Sequence, residues 1–470
     1  MGYGQLLLSV KSESDNYLVG NPQFTYFKAV YKRHTNFSLD YQTIKLYGDT
    51  ENVFGKKLYI NLPKNGDLVH RMFLTFEIDV AATSDLTQIA PLAYNYIDYI
   101  ELYIGGQLID KHTGEYLAIY HEQYGDSSKS IGIANMVGIQ NDTNSTKRKL
   151  TIPLRFWFNN DVGLSLPLIA LQYSDIKLDI KFNDKQLVHK FSNNQTTPVS
   201  SLNISNISLI SEYIFLDKEE RTMFSSKTHE YLITQLQMSQ HNTIPRFNEL
   251  YNNYYDTDTN LIPQDKLENL RFKVNMRFSY PIKQIIWGIH DLKSSKQTQT
   301  SVTTLSPFTD EGIFQYNMWN NYTPNSEQMT YCNIVINNKD LMEEMPAQFF
   351  RYIQPFNYAH GHGLNYINLD TTNDNNNNGN PVVNSLKLSK GLGFYSYSFA
   401  LNPKEFQPSG SLNFSKLDSI QLKFGIRKTH EKLTSDPTDI KNNAKIINLY
   451  AINYNVLKIS SGMCGLSFMN

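Results

Sequence analysis

A succession of short apolar or alternating runs, each closed by turn-forming residues, is the feature that most constrains this sequence. The runs are rich in Tyr, Phe, Ile and Val, and clusters of Asn, Gly, Asp, Ser and Pro separate them. Within residues 174–182, Ile176, Leu178 and Ile180 alternate with polar side chains, which predicts a half-buried strand with one face in water. Because helical periodicity is rare, the pattern predicts an all-β chain of many short antiparallel strands.

Predicted strands occupy both halves of the chain. In the first half they lie at residues 40–48, 56–63, 68–80, 96–110, 148–158, 174–182 and 206–216. In the second half they lie at residues 270–280, 282–290, 333–341, 394–401, 419–427 and 445–460. The Gly105-Gly106 pair predicts a hairpin turn inside its run. Long polar loops are predicted at residues 124–147, 183–203, 239–268, 291–328 and 370–386.

The length of 470 residues favours two domains rather than one. Asp217, followed by acidic residues, predicts a short N-capped helix over residues 217–224, and we place the boundary between the halves there. The strand style then predicts two tandem eight-stranded antiparallel jelly-roll barrels with long loops and a few short helices. The predicted domains are an N-terminal arm (1–24), a first jelly roll (25–216), a linker with the short helix (217–230) and a second jelly roll (231–470).

Residues 20–40 interleave aromatic and basic side chains. Asn21 followed by Pro22 matches a helix N-cap with proline at the first helical position. The stretch therefore predicts a short helix that packs its aromatic face against a barrel and turns its basic face outward. The candidate contact residues are Phe24, Phe27, Lys28, Tyr31, Lys32, Arg33 and His34.

Charge and cysteine content exclude several classes of function. Lys and Arg total 43 against 44 Asp and Glu, and no long block of one sign occurs. The chain therefore lacks the excess of positive charge that attracts proteins to the phosphate backbone of nucleic acids. We expect no sequence-specific nucleic-acid binding. The two cysteines, Cys332 and Cys464, form neither a disulfide framework nor a C-x-x-C metal motif.

Catalytic, cofactor and metal motifs are not found in the sequence. The His-Gly-His run at residues 360–362 lacks a third ligand at a suitable spacing. A helix start after Asp340 explains the adjacent Glu343 and Glu344 better than acid–base chemistry does. Phosphate-binding glycine loops and G-x-S-x-G elbows are missing, so we predict a protein that is not an enzyme and needs no cofactor. Among the N-x-S/T sequons, the glycosylation candidates are Asn144, Asn194 and Asn321.

Five long stretches of the sequence resemble one protein family. They are residues 17–40, 152–182, 212–237, 399–419 and 449–468, in the order in which the family carries them. The chain resembles the major capsid proteins of large icosahedral double-stranded DNA viruses of eukaryotes, the nucleocytoplasmic type. Motifs of this length at five places span nearly the whole chain.

The resemblance implies two jelly-roll barrels side by side, and three chains in a capsomer whose pseudo-hexagonal footprint tiles the icosahedral shell. It implies that the partners are the chain itself, neighbouring capsomers, and minor capsid and penton proteins. The N-terminal arm is then base-side, close to an internal viral membrane, and loops 291–328 and 370–386 form outward towers. The protein is expected in the virion and to assemble in the host cytoplasm.

Two alternatives of other classes stay open at this point. A carbohydrate-active β-sandwich, either an enzyme or a lectin, would need paired carboxylates in a cleft. A minor capsid or scaffolding protein of the same virus would often carry one jelly roll, whereas motifs of both halves occur here.

Overall fold

The protein is built mainly from β-strands, joined by short helices. The computed structural model describes residues 3, 5, 13–30, 32–48, 53–79, 86–87, 92–138, 147–184, 190–191, 203–242, 271–291, 329–359, 367–368, 387–388, 394–426 and 445–468. The α-helices are α1 (Glu13–Val19), α2 (Leu92–Asn95), α3 (Gly114–Tyr124), α4 (Ser130–Val137), α5 (Trp157–Asn160), α6 (Lys218–Ser226) and α7 (Gln354–Tyr358). A π-helix, Phe349–Ile353, leads directly into α7. Short 3-10 turns lie at Ser127–Lys129, Val162–Leu164, Leu168–Ala170 and Phe414–Lys416.

Strands of the first half precede α6. They are β1 (Phe37–Lys45), β2 (Lys57–Asn61), β3 (Leu68–Asp79), β4 (Leu86–Thr87), β5 (Ile97–Ile104), β6 (Gln107–Thr113), β7 (Lys147–Pro153), β8 (Leu166–Pro167), β9 (Ile176–Phe182), β10 (Lys190–Phe191) and β11 (Asn203–Leu216). Strands of the second half follow α6. They are β12 (His229–Asn242), β13 (Arg271–Asn275), β14 (Pro281–Asp291), β15 (Met329–Ile336), β16 (Lys339–Asp340), β17 (Met345–Pro346), β18 (Ile367–Asn368), β19 (Lys387–Leu388), β20 (Phe394–Ser398), β21 (Leu412–Asn413), β22 (Ile420–Ile426), β23 (Lys445–Ser460) and β24 (Met463–Leu466).

Both halves use the same strand order. The first half has sheets β1-β11-β3-β7 and β2-β9-β5-β6, and the second has β12-β23-β14-β20 and β13-β22-β15-β16, with all pairings antiparallel. Apart from short side strands, each half pairs its first strand with its last in one sheet and its second with its next-to-last in the other. This nested pairing is the jelly-roll topology. The predicted all-β class with two tandem jelly rolls is confirmed, whereas the count of eight strands per barrel stays a prediction.

Apolar side chains from two facing sheets form the core of each half. In the first half, Leu74 and Leu209 meet Leu58 and Leu178 in one buried cluster. In the second half, a separate cluster joins both sheets in the same way, through Ile285, Leu449, Ile334 and Leu422. The buried residues alternate along each strand because successive side chains point to opposite faces.

Local predictions at two turns are confirmed. Gly105 and Gly106 have φ values of 59° and 80° and form the turn between β5 and β6, where side chains other than glycine are strained. The side chain of Asp217 accepts a hydrogen bond of 2.7 Å from the Lys218 backbone N–H and caps α6.

Helix predictions are wrong at two other places. Residues 124–147 were expected to be a loop, but α4 lies inside this range, and α3 precedes it. Glu343 and Glu344 lie between β16 and β17 in irregular backbone and not at a helix start. Glu344 accepts an ion pair of 3.2 Å from Arg271 of β13, so tertiary contact decides its place.

A core truncation tests the facing-sheet arrangement. Leu178 is fully buried, so Leu178→Ala removes packed atoms and leaves a cavity that costs about 2–5 kcal/mol of unfolding free energy. Leu108 on the neighbouring hairpin is 43% exposed, so Leu108→Ala should cost less than about 0.5 kcal/mol. Chemical denaturation of both variants measures the difference, and equal losses would contradict the assigned core.

Candidate assembly surfaces

The basic and aromatic stretch before β1 does not form the predicted helix. Helix α1 ends at Val19, Asn21 takes a φ of 51°, and residues 20–30 and 32–36 contain no helix. Phe24 is 58% exposed and Phe27 is 98% exposed, so the predicted packing of these rings against the chain's own barrel is wrong. A short helix needs a buried apolar face to be stable, and this face is not buried here.

The remaining predicted contact residues of this stretch are also on the surface. Lys28, Lys32, Arg33 and His34 are all exposed. The ring of Phe24 packs edge-on against Tyr26 at 5.1 Å between centroids, and that of His34 lies 6.2 Å from Phe37. The stretch is therefore an exposed aromatic and basic ribbon that leads into β1. Tyr31, the glycosylation candidates Asn144, Asn194 and Asn321, and the two tower loops (291–328 and 370–386) lie outside the described residues, apart from Asp291 at the end of β14.

Strand β1 continues this ribbon with an apolar stripe. Phe37, Leu39 and Tyr41 are 52%, 50% and 54% exposed and, at a spacing of two, share one face of the strand. The alternate residue Ile44 packs on the core instead. Within the described sheet β1 is an edge strand, and an exposed apolar edge is a typical pairing or docking surface. We call Phe37, Leu39 and Tyr41 the β1 stripe.

The two halves meet in the first core cluster, which takes in Ile233, Leu457 and Ile459, and also where α3 packs on the sheet β12-β23-β14-β20. Tyr116, Tyr120 and Tyr124 follow one another at a spacing of four, which places them on one face of the helix. They join Ile286 and Tyr450 of the sheet in a cluster separate from either core. The rings of Tyr116 and Tyr450 are 5.8 Å apart. We call this contact the tyrosine seam.

Hydrogen bonds also cross between the halves. The Tyr124 hydroxyl donates to the Gln284 side-chain oxygen. Three further bonds are Leu236 N–H to Asp110 Oδ1 (3.0 Å), Asn448 Nδ2 to Glu115 Oε2 (2.7 Å) and Cys464 N–H to Ser174 Oγ (3.1 Å). These bonds pair specific polar groups of the two halves, which fixes the register of the contact.

A small cavity of about 30 Å³ lies in this seam and holds a buried lysine. Lys283 is only 5% exposed, and burial lowers the pKa of its ammonium to about 7. Its Nζ lies 5.5 Å from the centre of the Tyr454 ring. Nearby on the cavity wall, His112 Nε2 lies 3.0 Å from Asp110 Oδ2.

A second polar surface covers the outer face of β2-β9-β5-β6. Lys57 lies 3.0 Å from both Glu101 and Asp179, and Lys111 lies 2.9 Å from Glu101. The Lys111 ammonium also stands 3.8 Å above the Tyr99 ring. The lysines are about half exposed, so these pairs add little stability and mainly order the surface.

The described residues do not assemble reactive chemistry. Among them, no group of three or more His, Cys, Asp and Glu side chains is placed to hold a metal ion. Burial raises the pKa of the Cys332 thiol, which opposes formation of a nucleophilic thiolate. In that same part of the chain, no helix has the length and apolar character needed to cross a bilayer.

The tyrosine seam was missed by sequence reasoning, although a signal was present. Thr113 is an N-cap whose side chain accepts a 3.1 Å hydrogen bond from Tyr116 N–H. The spacing of four between tyrosines also indicates a helix face. Leu117 and Ala118 pack on the first core, so the helix is apolar on two sides and its periodicity is obscured.

The buried lysine predicts a pH-dependent stability. Between pH 7 and about 10.5 the unfolded chain keeps the Lys283 proton while the folded chain loses it, so raising the pH through this window stabilises the fold. Below pH 7 the full cost of burying the charge applies, about 1.4 kcal/mol for each unit by which the folded pKa lies below the unfolded pKa, and most of this cost remains at pH 7. Lys283→Met should therefore raise the unfolding temperature at pH 7, by about 2–4 °C per kcal/mol.

Differential scanning fluorimetry at pH 7 and pH 10 measures this effect. The gain of Lys283→Met over the parent protein should shrink at pH 10. Lys416→Met, at an exposed position in the same half, is the matched control and should change little at either pH. A gain that is independent of pH would show that Lys283 does not carry a buried charge.

Comparison with known proteins matches the whole length of this two-barrel chain. The family described as "Major capsid protein N-terminus" matches residues 25–217, and "Large eukaryotic DNA virus major capsid protein" matches residues 220–368 and 380–465. The chain is 30% identical to the major capsid protein of Pyramimonas orientalis virus and 28% identical to that of Paramecium bursaria Chlorella virus 1, with full coverage of both chains in each pair.

Solved structures give the same result. A chain of the PBCV-1 virus capsid is similar with a TM-score of 0.71 at 25% identity, over 95% of this chain and 100% of that chain. The Faustovirus major capsid protein shares the fold, with a TM-score of 0.63 at 12% identity over 96% and 94% of the two chains. The resemblance inferred from the five sequence stretches is confirmed. The chain belongs to the family of large eukaryotic DNA virus major capsid proteins, which are structural proteins of the capsid and not enzymes.

Proposed function

We propose that the chain homotrimerises into a pseudo-hexagonal capsomer that tiles the icosahedral shell of a large double-stranded DNA virus. The observation that carries this proposal is the repeated strand order, which gives two alike barrels in one chain. Three copies around a threefold axis then supply six alike barrels. A pseudo-hexagonal outline lets each capsomer meet its neighbours at similar angles, so one chain can build a large shell.

Surface chemistry supports an assembly role. A closed ring of three copies uses heterologous contacts, in which two unlike patches of each copy meet. Obligate interfaces are more apolar than transient ones, and aromatic residues are enriched at their centres. The exposed aromatic and basic ribbon before β1 and the β1 stripe both present aromatic side chains of this kind. The role of the chain is to build the shell. Its partners are other copies, neighbouring capsomers, and minor capsid and penton proteins.

The N-terminal segment is proposed to face the base of the capsomer. Residues 1–24 form a base-side arm, followed by the first jelly roll (25–216), the linker (217–230) and the second jelly roll (231–470). The exposed basic residues Lys28, Lys32, Arg33 and His34 suit acidic partners at that base, either minor capsid proteins or an internal membrane with anionic headgroups. Assembly is proposed to take place in the host cytoplasm.

The oligomeric mass tests the proposed capsomer. Size-exclusion chromatography with light scattering should give a particle of three times the chain mass of 54.2 kDa. A monomer at high protein concentration would contradict the trimer.

Limited proteolysis tests the position of the exposed aromatic and basic ribbon. Trypsin should cut after Lys28, Lys32 or Arg33 in free capsomers, because these side chains are exposed. Intact particles should be protected at the same bonds, since a base-side segment lies inside the closed shell. Equal cleavage in intact particles would place the ribbon outside and contradict the base-side arm.

A further inference from the structure

The two halves carry a helical segment at the same place in their strand order. In the first half, α3 lies between β6 and β7. In the second half, residues 349–358, made of the π-helix and α7, lie between β16 and β20, the strands that correspond to β6 and β7. The segments are therefore structural counterparts. The contacts that α3 makes within the chain therefore indicate which contacts residues 349–358 can make.

Helix α3 packs on two surfaces. One face meets its own barrel, where Leu117 and Ala118 join the first core. The opposite face, which includes Tyr116 and Tyr124, covers the outer face of the sheet β12-β23-β14-β20 of the other half. The edge strand of that sheet, β12, contributes Leu236 to the contact.

Residues 349–358, the counterpart helix of the second half, also pack on their own barrel. Phe350 is fully buried, with its ring 5.3 Å from that of Trp287 in the second core. Gln354 accepts a 3.2 Å hydrogen bond from the Ser398 backbone N–H of β20. This face of residues 349–358 holds the helix on its own barrel, as Leu117 and Ala118 hold α3.

The other face of the counterpart helix is exposed and apolar. Tyr352, Ile353 and Phe356 are 45%, 49% and 70% exposed. Tyr352 and Ile353 lie four and three residues before Phe356, a spacing that places each of them beside Phe356 on the helix surface. We call these three residues the α7 face. They occupy the position at which α3 presents its tyrosines to a sheet of the other half.

The surface that corresponds to the covered sheet is exposed as well. Sheet β1-β11-β3-β7 is the counterpart of β12-β23-β14-β20, and its edge strand β1 is the counterpart of β12. The β1 stripe lies on its outer face, since Tyr41 donates a 2.5 Å hydrogen bond to Glu212 on β11, opposite the core-facing Ile44. The stripe remains about half exposed in the single chain.

We infer that the α7 face of one copy docks on the β1 stripe of the next copy and repeats between chains the contact that α3 makes within one chain. The inference rests on the proposed trimer and names the surfaces of its interface. A second copy is the occupant that fits, because the α7 face and the β1 stripe are exposed in the part of the chain that the structure describes and correspond to the two sides of the contact that α3 makes. In a ring of three, each copy offers one helix and receives one, so three seams within chains alternate with three between chains.

Cross-linking between chains tests the inference directly. Phe356→Cys and Leu39→Cys are placed on separate chains, each also carrying Cys464→Ser because Cys464 is partly exposed, while the buried Cys332 stays. The two variants are co-expressed, and the purified trimers are treated with a short bismaleimide. A dimer band on a denaturing gel is expected from the mixture, at no less than tenfold its intensity in either variant alone.

Charge insertion gives a second, independent readout. Ile353→Asp and Leu39→Asp should each raise the concentration at which half of the trimers dissociate by at least tenfold, since a buried carboxylate would have no partner in the interface. Circular dichroism checks that the monomers stay folded, as both side chains are about half exposed. Val162→Asp, at a site 64% exposed in the first half, is the control and should leave the trimer intact.

The outcomes separate this inference from the proposed function. A trimer that gives no mixed cross-link and tolerates Ile353→Asp and Leu39→Asp overturns the assigned interface and leaves the capsomer standing. A parent chain that stays monomeric overturns the proposed trimer itself. Cross-linking together with loss of trimer in both aspartate variants, but not in Val162→Asp, supports the assigned interface.

Discussion

The arrangement of the chain depends on the contact between its two halves, and the tyrosine seam is a central part of that contact. The two halves have separate core clusters, but the first cluster also takes in Ile233, Leu457 and Ile459 of the second half, so apolar packing already ties the barrels together. Helix α3 adds a second link, because it packs on the first core on one side and on the sheet of the second half on the other. Aromatic rings supply the buried area, and the hydrogen bonds around them supply the register.

The polar residues of the tyrosine seam are buried because the two halves pack together there, and not because they form an active site. Lys283 and the Asp110–His112 pair line a cavity of about 30 Å³, large enough for about one water molecule and too small for a substrate. Their burial follows from closing two barrels over polar strand ends. The surface outside the seam instead carries exposed aromatic and basic side chains, as expected of a subunit that is completed by its neighbours.

Sequence periodicity located most strands because one buried face imposes a period of two. The run at residues 174–182 is an example, where Ile176, Leu178 and Ile180 are all buried. Helices were predicted less well. Asp217 was identified because its capping is local, whereas α3 was missed because its neighbours are distant in sequence. The aromatic spacing near Pro22 suggested a helix that the chain does not form, since periodicity indicates a possible apolar face but not a surface to cover it.

The sequence by itself determined the all-β class, the two tandem jelly rolls, the helix cap at Asp217 and the membership of a capsid family. These properties could be predicted because side-chain alternation, helix capping and long motifs depend on residues that are close together in the sequence. Only the tertiary structure decided which helix joins the barrels, which lysine is buried and which aromatic residues stay exposed. Those outcomes depend on which residues far apart in the chain come together, because burial is a property of the packed sheets and not of any local segment.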